Sequence, residues 1–167
     1  MRFSGECRGE ISKMATEIRQ IENAAEKQAI SRAILEALPE WFGIQEAREE
    51  YIRESADKLF FAAAYGETPI GFLYLKETGR DTVELYVMGV LKDCHRMGVG
   101  RALVEAAKRA AREAGYAFMQ VKTVQMGKYA EYDATNRFYL ALGFKEFEVF
   151  PHLWDEWNPC QVYVMGL

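Results

Sequence analysis

The sequence predicts an α/β protein, a mixed sheet with helices on its faces, on three observations. At 167 residues the chain is long enough for one compact core that buries roughly 70% of the surface its unfolded form would expose. Half the residues are hydrophobic, 13% are aromatic and 28% are charged, which excludes disorder, collagen-like repeats and a small disulfide scaffold. Apolar runs of strand length alternate with stretches of helical period, giving the order β-α-α-β-β-β-α-β-α-β-β.

Taken in order, residues 1–13 mix Gly5, Gly9 and charges without periodicity and are expected to form a poorly ordered arm, leaving 14–167 as a single domain. Ile18 and Ile21 mark a strand over 15–21. Asn23 is a helix N-cap for AAEKQAISRAILEALPEWF, in which Ile30, Ala33, Ile34, Ala37 and Leu38 recur at helical spacing. A second helix over 44–55 places Ala47, Tyr51 and Ile52 on one side before Asp57 interrupts it. Lys58 to Tyr65 and Ile70 to Lys76 are apolar runs joined by Gly66-Glu67-Thr68-Pro69, a β-hairpin. Thr82 to Val90 alternates Glu84, Tyr86 and Met88 against Val83, Leu85 and Val87, and Gly89 near its end invites a bulge. Val99 to Ala114 reads as a helix with Leu103, Ala106, Ala107, Ala110 and Ala114 along its buried side, closed by Gly115. A strand over 118–124, a helix over 133–142 ended by Gly143, and strands over 144–150 and 161–165 complete the chain.

The 21 Lys and Arg against 25 Asp and Glu leave a net charge of −4, so no nucleic-acid partner is expected. Cys7, Cys94 and Cys160 are odd in number and widely spaced, which suggests neither a metal clip nor a disulfide framework and fits a reducing cytoplasm. No stretch approaches the ~20 apolar residues of a membrane span, and the first ten residues do not read as a signal peptide. A soluble protein with no membrane partner is expected.

The segment His95 to Ala106, HRMGVGRALVEA, lies between a strand end and a helix start. A helix start leaves backbone N–H groups unpartnered and carries partial positive charge, so it attracts phosphate. Gly98 and Gly100 remove the Cβ atoms that would keep a pyrophosphate from those amides, and Arg96 and Arg101 add charge. The plain alternative, two glycines in a tight turn that opens a helix, is equally open on this segment alone. A dinucleotide fingerprint lacks its third glycine here, and no P-loop ending occurs.

His95-Arg96-Met97-Gly98-Val99-Gly100 resembles the acetyl-CoA signature of the GNAT superfamily of N-acyltransferases, Gln/Arg-x-x-Gly-x-Gly/Ala, with His95 at the first position. The resemblance extends through the preceding strand LYVMGV and the later ATNRFYLALGF in the family's order, and covers about Ile18 to Met165. It implies a mostly antiparallel central sheet of about seven strands with helices on both faces. It also implies acetyl-CoA as cosubstrate, no metal, and an acetyl group moved to a primary amine by direct attack in a ternary complex. Met88, Gly89 and Val90 would present backbone groups to the pantetheine arm and thioester, with the strand splayed from 118–124; the amides from Arg96 to Arg101 would take the pyrophosphate, with His95 also in the cofactor-binding loop.

Amine acylation needs a neutral amine, an oxyanion stabiliser and a proton for the departing thiolate. Tyr139, four residues before Gly143, stands where the family usually keeps the tyrosine that protonates the CoA sulfur; packing beside Phe138 as a core aromatic is the alternative. Glu84, six positions before Val90, stands where some members carry their glutamate base, and a solvated strand-edge charge is its alternative. Two departures stand out. Gln120 occupies the place of a second glutamate and cannot act as a base, and Tyr132 stands where many relatives have a cofactor-contacting asparagine.

Phe150 to Cys160, with Trp154, Asp155, Glu156 and Trp157, borders the acceptor side on this reading, as an acidic lid or as plain cover for the sheet. His152 reads as a loop residue, Cys94 as a spectator thiol, and Lys108, Arg109 and Arg112 as a solvated helix face. The acceptor is a small-molecule or peptide amine, and the aromatic final third is compatible with a homodimer. A CoA-binding regulatory domain without turnover is the alternative function.

Overall fold

The structure, a computed structural model, describes residues 16–167. Its elements are β1 (Glu17–Ile21), α1 (Ala24–Glu36), α2 (Pro39–Phe42), α3 (Gln45–Glu54), β2 (Leu59–Tyr65), β3 (Thr68–Glu77), β4 (Thr82–Val90), α4 (Val99–Glu113), β5 (Phe118–Val124), α5 (Ala130–Ala141), β6 (Lys145–Phe150) and β7 (Cys160–Gly166). The seven strands form one sheet in the order β1-β2-β3-β4-β5-β7-β6. The expected fold class is therefore present, mostly antiparallel with one parallel pair, β4 and β5. The expected arm lies outside the described residues. Among those described, no helix is long and apolar enough to cross a membrane.

Contacts divide the chain into two compact units, one holding residues 16–74 and 88–106, the other 75–87 and 107–167. In the first, β1 runs antiparallel to β2 from Glu17 opposite Ala64 to Ile21 opposite Phe60. Phe60, Phe72 and Tyr74 are fully buried and stack face to face, with Phe60 and Phe72 centroids 5.2 Å apart. The Asn23 side chain accepts from the Glu26 amide at 2.9 Å, the expected cap. The helix expected to run to Phe42 instead stops at Glu36. Leu38 takes a non-helical conformation (φ −123°, ψ 56°) and Pro39 opens the separate turn α2. The proline ring disfavours helical geometry in the residue before it, yet suits the first position of a new helix.

In the second unit, β4 pairs with β5 from Thr82–Phe118 to Leu85–Val121, and both strands run on past that register. β5 pairs antiparallel with β7 along its whole length, Phe118 opposite Gly166 to Val124 opposite Cys160. β6 closes this edge, with a bulge between Glu146 and Glu148 and Phe147 turned outward. α5 starts three residues earlier than expected. The Asp133 carboxylate, in its first turn, accepts from the Gly127 amide at 2.7 Å.

Along α4 the buried stripe is Leu103, Val104, Ala106, Ala107 and Ala111. The expected Ala110 is half-buried and Ala114 is exposed, because the helix leaves the core one turn before Gly115.

Candidate active site

The first unit carries the glycine loop. Gly89 is buried against α1: a Cβ there would lie 2.8 Å from Ile34 Cγ2 and 3.2 Å from Leu38 Cδ1. Close packing accounts for this glycine. After β4 the chain makes a short 3₁₀ turn over Lys92–Cys94. Arg96 and Gly98 then take left-handed conformations, φ 61° and 82°.

A non-glycine residue at positive φ is uncommon and is held here by its surroundings. With left-handed Arg96 and Gly98 flanking it, Met97 sits at the tip of a tight turn that leads directly into α4. The Gly98 carbonyl accepts from Ala102 N at 3.0 Å, so α4 begins at Val99 and the amides of Val99, Gly100 and Arg101 have no intrahelical acceptor. Nothing lies within 4 Å of the place a Gly98 Cβ would take. Val99 anchors the turn in the core while Arg96, Met97 and Arg101 stay exposed. These amides and the open face over Gly98 fit a pyrophosphate.

His95 does something the motif does not announce. Its Nε2 lies 2.7 Å from the Val90 carbonyl, so that nitrogen carries the proton and donates. The ring packs edge-on against Trp41, centroids 6.0 Å apart. His95 thus ties the loop to the end of β4, and the Val90 carbonyl expected to serve the pantetheine already accepts one hydrogen bond. Cys94 is buried, and burial first, Asp93 second, pushes its thiol up rather than down. Among the described residues no group of three or more His, Cys, Asp or Glu forms a metal site.

The second unit carries the titratable side chains. Glu84 is buried, not the solvated charge that was its alternative. Lys122 Nζ donates to Glu84 Oε2 at 2.6 Å, and Gln120, directly across the strand pair, donates to the same oxygen at 3.4 Å. Cys160 is buried close to this pair, and desolvation pushes its thiol up to about 11.

Tyr139 stands on the other face of the same sheet. Its ring touches Phe144, Phe138 and Tyr163, with centroids 5.7, 5.4 and 6.4 Å away. Burial holds its phenol well above the ordinary tyrosine range. Tyr163 and its strand partner Val121 define that face, opposite to Gln120 and Lys122.

Two residues here were missed. Asn136, fully buried on α5, donates to the carbonyls of Val124 (2.9 Å) and Tyr132 (2.7 Å) and accepts from the Tyr163 hydroxyl at 2.6 Å. An asparagine three residues before Tyr139 on one helix stripe was the available signal. Lys122, two residues beyond Gln120 on the same strand face, was the other. Tyr132, by contrast, is half-buried beside Tyr129.

In the 150–160 loop the two carboxylates differ: Glu156 is exposed, while Asp155 is turned onto the loop's own backbone. Asp155 accepts from the amides of Trp157 (2.7 Å) and Asn158 (2.8 Å), folding the loop on itself with Trp154 and Trp157 exposed.

The Acetyltransferase (GNAT) family profile matches residues 18–144. No curated protein matches in sequence. Among solved structures, the chain resembles a GNAT-family protein from Desulfovibrio desulfuricans, with 20% identity, 91% of this chain and 99% of that one, and a TM-score of 0.76. It also resembles the ribosomal-protein-S18-alanine N-acetyltransferase of Escherichia coli, with 16% identity, 91% and 94% of the two chains, and a TM-score of 0.72. A third is the PaiA N-acetyltransferase of Thermoplasma acidophilum in complex with coenzyme A, with 20% identity, 89% and 98% of the two chains, and a TM-score of 0.67.

Proposed function

This chain belongs to the GNAT acetyltransferase family, and we propose that it transfers the acetyl group of acetyl-CoA to a primary amine by direct attack in a ternary complex. The observation that carries the reading is the loop with left-handed Arg96 and Gly98 opening α4. The amides from Arg96 to Arg101 hold the pyrophosphate, and the backbone of Met88, Gly89 and Val90 holds the pantetheine arm. His95 and Met97 shape the loop; His95 fixes it to Val90. The cosubstrate supplies an acetyl thioester: a C–N bond forms to the amine, the C–S bond breaks, and CoA leaves as the thiol.

Tyr139 donates a hydrogen bond to the departing sulfur. Its raised pKa keeps the phenol protonated throughout the working range, which suits a donor and rules it out as a resting base. Glu84 guides the amine's proton outward, through water, from the opposite sheet face. No metal takes part in this scheme. The N-acetyltransferases among the structural relatives are in keeping with an amine acceptor. The free, buried thiols of Cys94 and Cys160 fit a reducing cytoplasm.

Thermal unfolding with acetyl-CoA, CoA, NAD and ATP in separate samples tests the reading. Ligand at ~100 times its dissociation constant adds ~2.7 kcal/mol, a rise of several degrees at this size. Only the CoA compounds should raise the midpoint, and CoA release should then require an amine. A chain stabilised by none of the four carries the fold without the cofactor site.

A further inference from the structure

We infer that Lys122 selects an acceptor bearing a carboxylate beside its amine. The inference deepens the N-acetyltransferase reading above and rests on it. Of the two side chains in the pair, that of Lys122 is the more exposed, 27% against 5% for Glu84, so an incoming molecule meets the lysine first. A lysine ammonium has three N–H donors. One goes to Glu84 at 2.6 Å, and neither of the others has an acceptor among the described residues. The ion pair already holds the long side chain in one place, so much of the entropy of ordering it is lost before a ligand arrives.

Charge balance then chooses the ligand. A bare cationic amine would bring its charge against the Lys122 ammonium, a like-charge contact that opposes binding. A dianionic phosphate would meet the Glu84 carboxylate behind Lys122. A molecule with one carboxylate and one amine adds no net charge to the neutral Glu84–Lys122 pair. Its carboxylate takes the two spare donors as charge-assisted hydrogen bonds.

The test uses acceptors matched except for the carboxylate: α-amino acids against their carboxamides, and short peptides with Glu against Gln at the second residue. The full chain should turn over the carboxylate member with kcat/KM at least ~10-fold higher, and the two series say whether a free amino acid or a peptide supplies it. Lys122→Met should remove the preference, bringing the kcat/KM ratio within each pair toward one through a higher KM for the carboxylate members. Lys122→Arg should restore it. Because Lys122→Met leaves a buried carboxylate unpaired, Lys122→Met combined with Glu84→Gln removes that charge as well; turnover of both members falls with Glu84, and the kcat/KM ratio within each pair, expected to approach one, is the readout. Equal rates within the pairs, or a preference that survives loss of Lys122, overturn the inference.

If no amine releases CoA, the N-acetyltransferase reading fails by itself. The corresponding N-acetylated acids and amides, added with CoA in thermal unfolding, then decide for Lys122. A rise of several degrees with the acids alone, lost in Lys122→Met, supports it, and the absence of that rise overturns it.

Discussion

The glycine loop and the polar sheet face are built on different principles. From Val90 to Arg101 the chemistry lies within a dozen consecutive residues and is carried by backbone: two left-handed residues, a helix start and a histidine that bonds a carbonyl five residues back. In the second unit it is carried by side chains distant in sequence and joined only by register and packing. Glu84 meets Lys122 across 38 residues, and Asn136 meets Tyr163 across 27. Local chemistry survives changes elsewhere in the fold, while chemistry made across strands exists only when the sheet is correctly assembled. Substitutions in the loop should therefore act on ligand binding, and those in the second unit on turnover or stability.

The sharpest test is Tyr139→Phe. It removes one hydroxyl from a ring whose packing against Phe144 and Tyr163 remains. Loss of a positioned proton donor costs typically 10²–10⁴ in rate. We expect kcat to fall at least ~100-fold with the acetyl-CoA KM unchanged, measured by CoA release. A fall in stability with turnover preserved would make Tyr139 a core aromatic only.

Asn136→Leu ranks next. It strands the Tyr163 hydroxyl and takes a side-chain donor from the Val124 and Tyr132 carbonyls. Each buried orphan costs ~1–3 kcal/mol, and the carbonyls can relax toward other donors. A midpoint lowered by ~6–10 °C is expected, read by circular dichroism, with acetyl-CoA affinity in the folded fraction preserved. Loss of affinity without loss of stability would place Asn136 in the ligand site and blur the contrast.

Gly98→Ala is the opposite case. At φ 82° an L residue is strained by ~1–2 kcal/mol, and the new methyl projects into the open space where nothing lies within 4 Å. Acetyl-CoA should bind ~10-fold more weakly by calorimetry, with the midpoint lowered by ~2–8 °C. An unchanged dissociation constant would mean that the loop is a turn and nothing more.

The same division explains what the sequence disclosed. All seven strands could be read because alternation and turn residues are local, and the family motif because its residues are contiguous. The break before Pro39 was legible in principle, since a proline disfavours helix in the residue before it, but the apolar spacing of Ala37 and Leu38 masked it. Glu84 could be read as a chemical group but not as a buried one, because its partner depends on the register that sets β5 beside β4. Lys122 and Asn136 were hidden for the same reason: nothing next to either residue names its partner. Even Gly89 owes its identity to Ile34 and Leu38, more than fifty residues earlier.

The smallest effect compares the two buried thiols, one from each region. Cys94 precedes a helix start, where partial positive charge favours thiolate, yet burial and Asp93 push it up. Cys160, on β7, is pushed from 9.0 to about 11 by burial, with Lys122 pulling the other way and Glu84 adding to the rise. Both should stay unalkylated by iodoacetamide at pH 8 in folded Cys7→Ser protein, and both should react in urea, as read by mass spectrometry. The sign of the pH effect follows from the neutral thiol being the form the fold favours. Cys160 contributes stability that is fully present below pH 9.0 and lost as pH rises through about 11. Urea unfolding of the chain and of Cys160→Ala should therefore differ most at neutral pH, the gap narrowing over that window. Rapid alkylation of Cys94 alone would show the helix start prevailing over burial in the loop, and would widen the contrast between the two regions to their thiols as well.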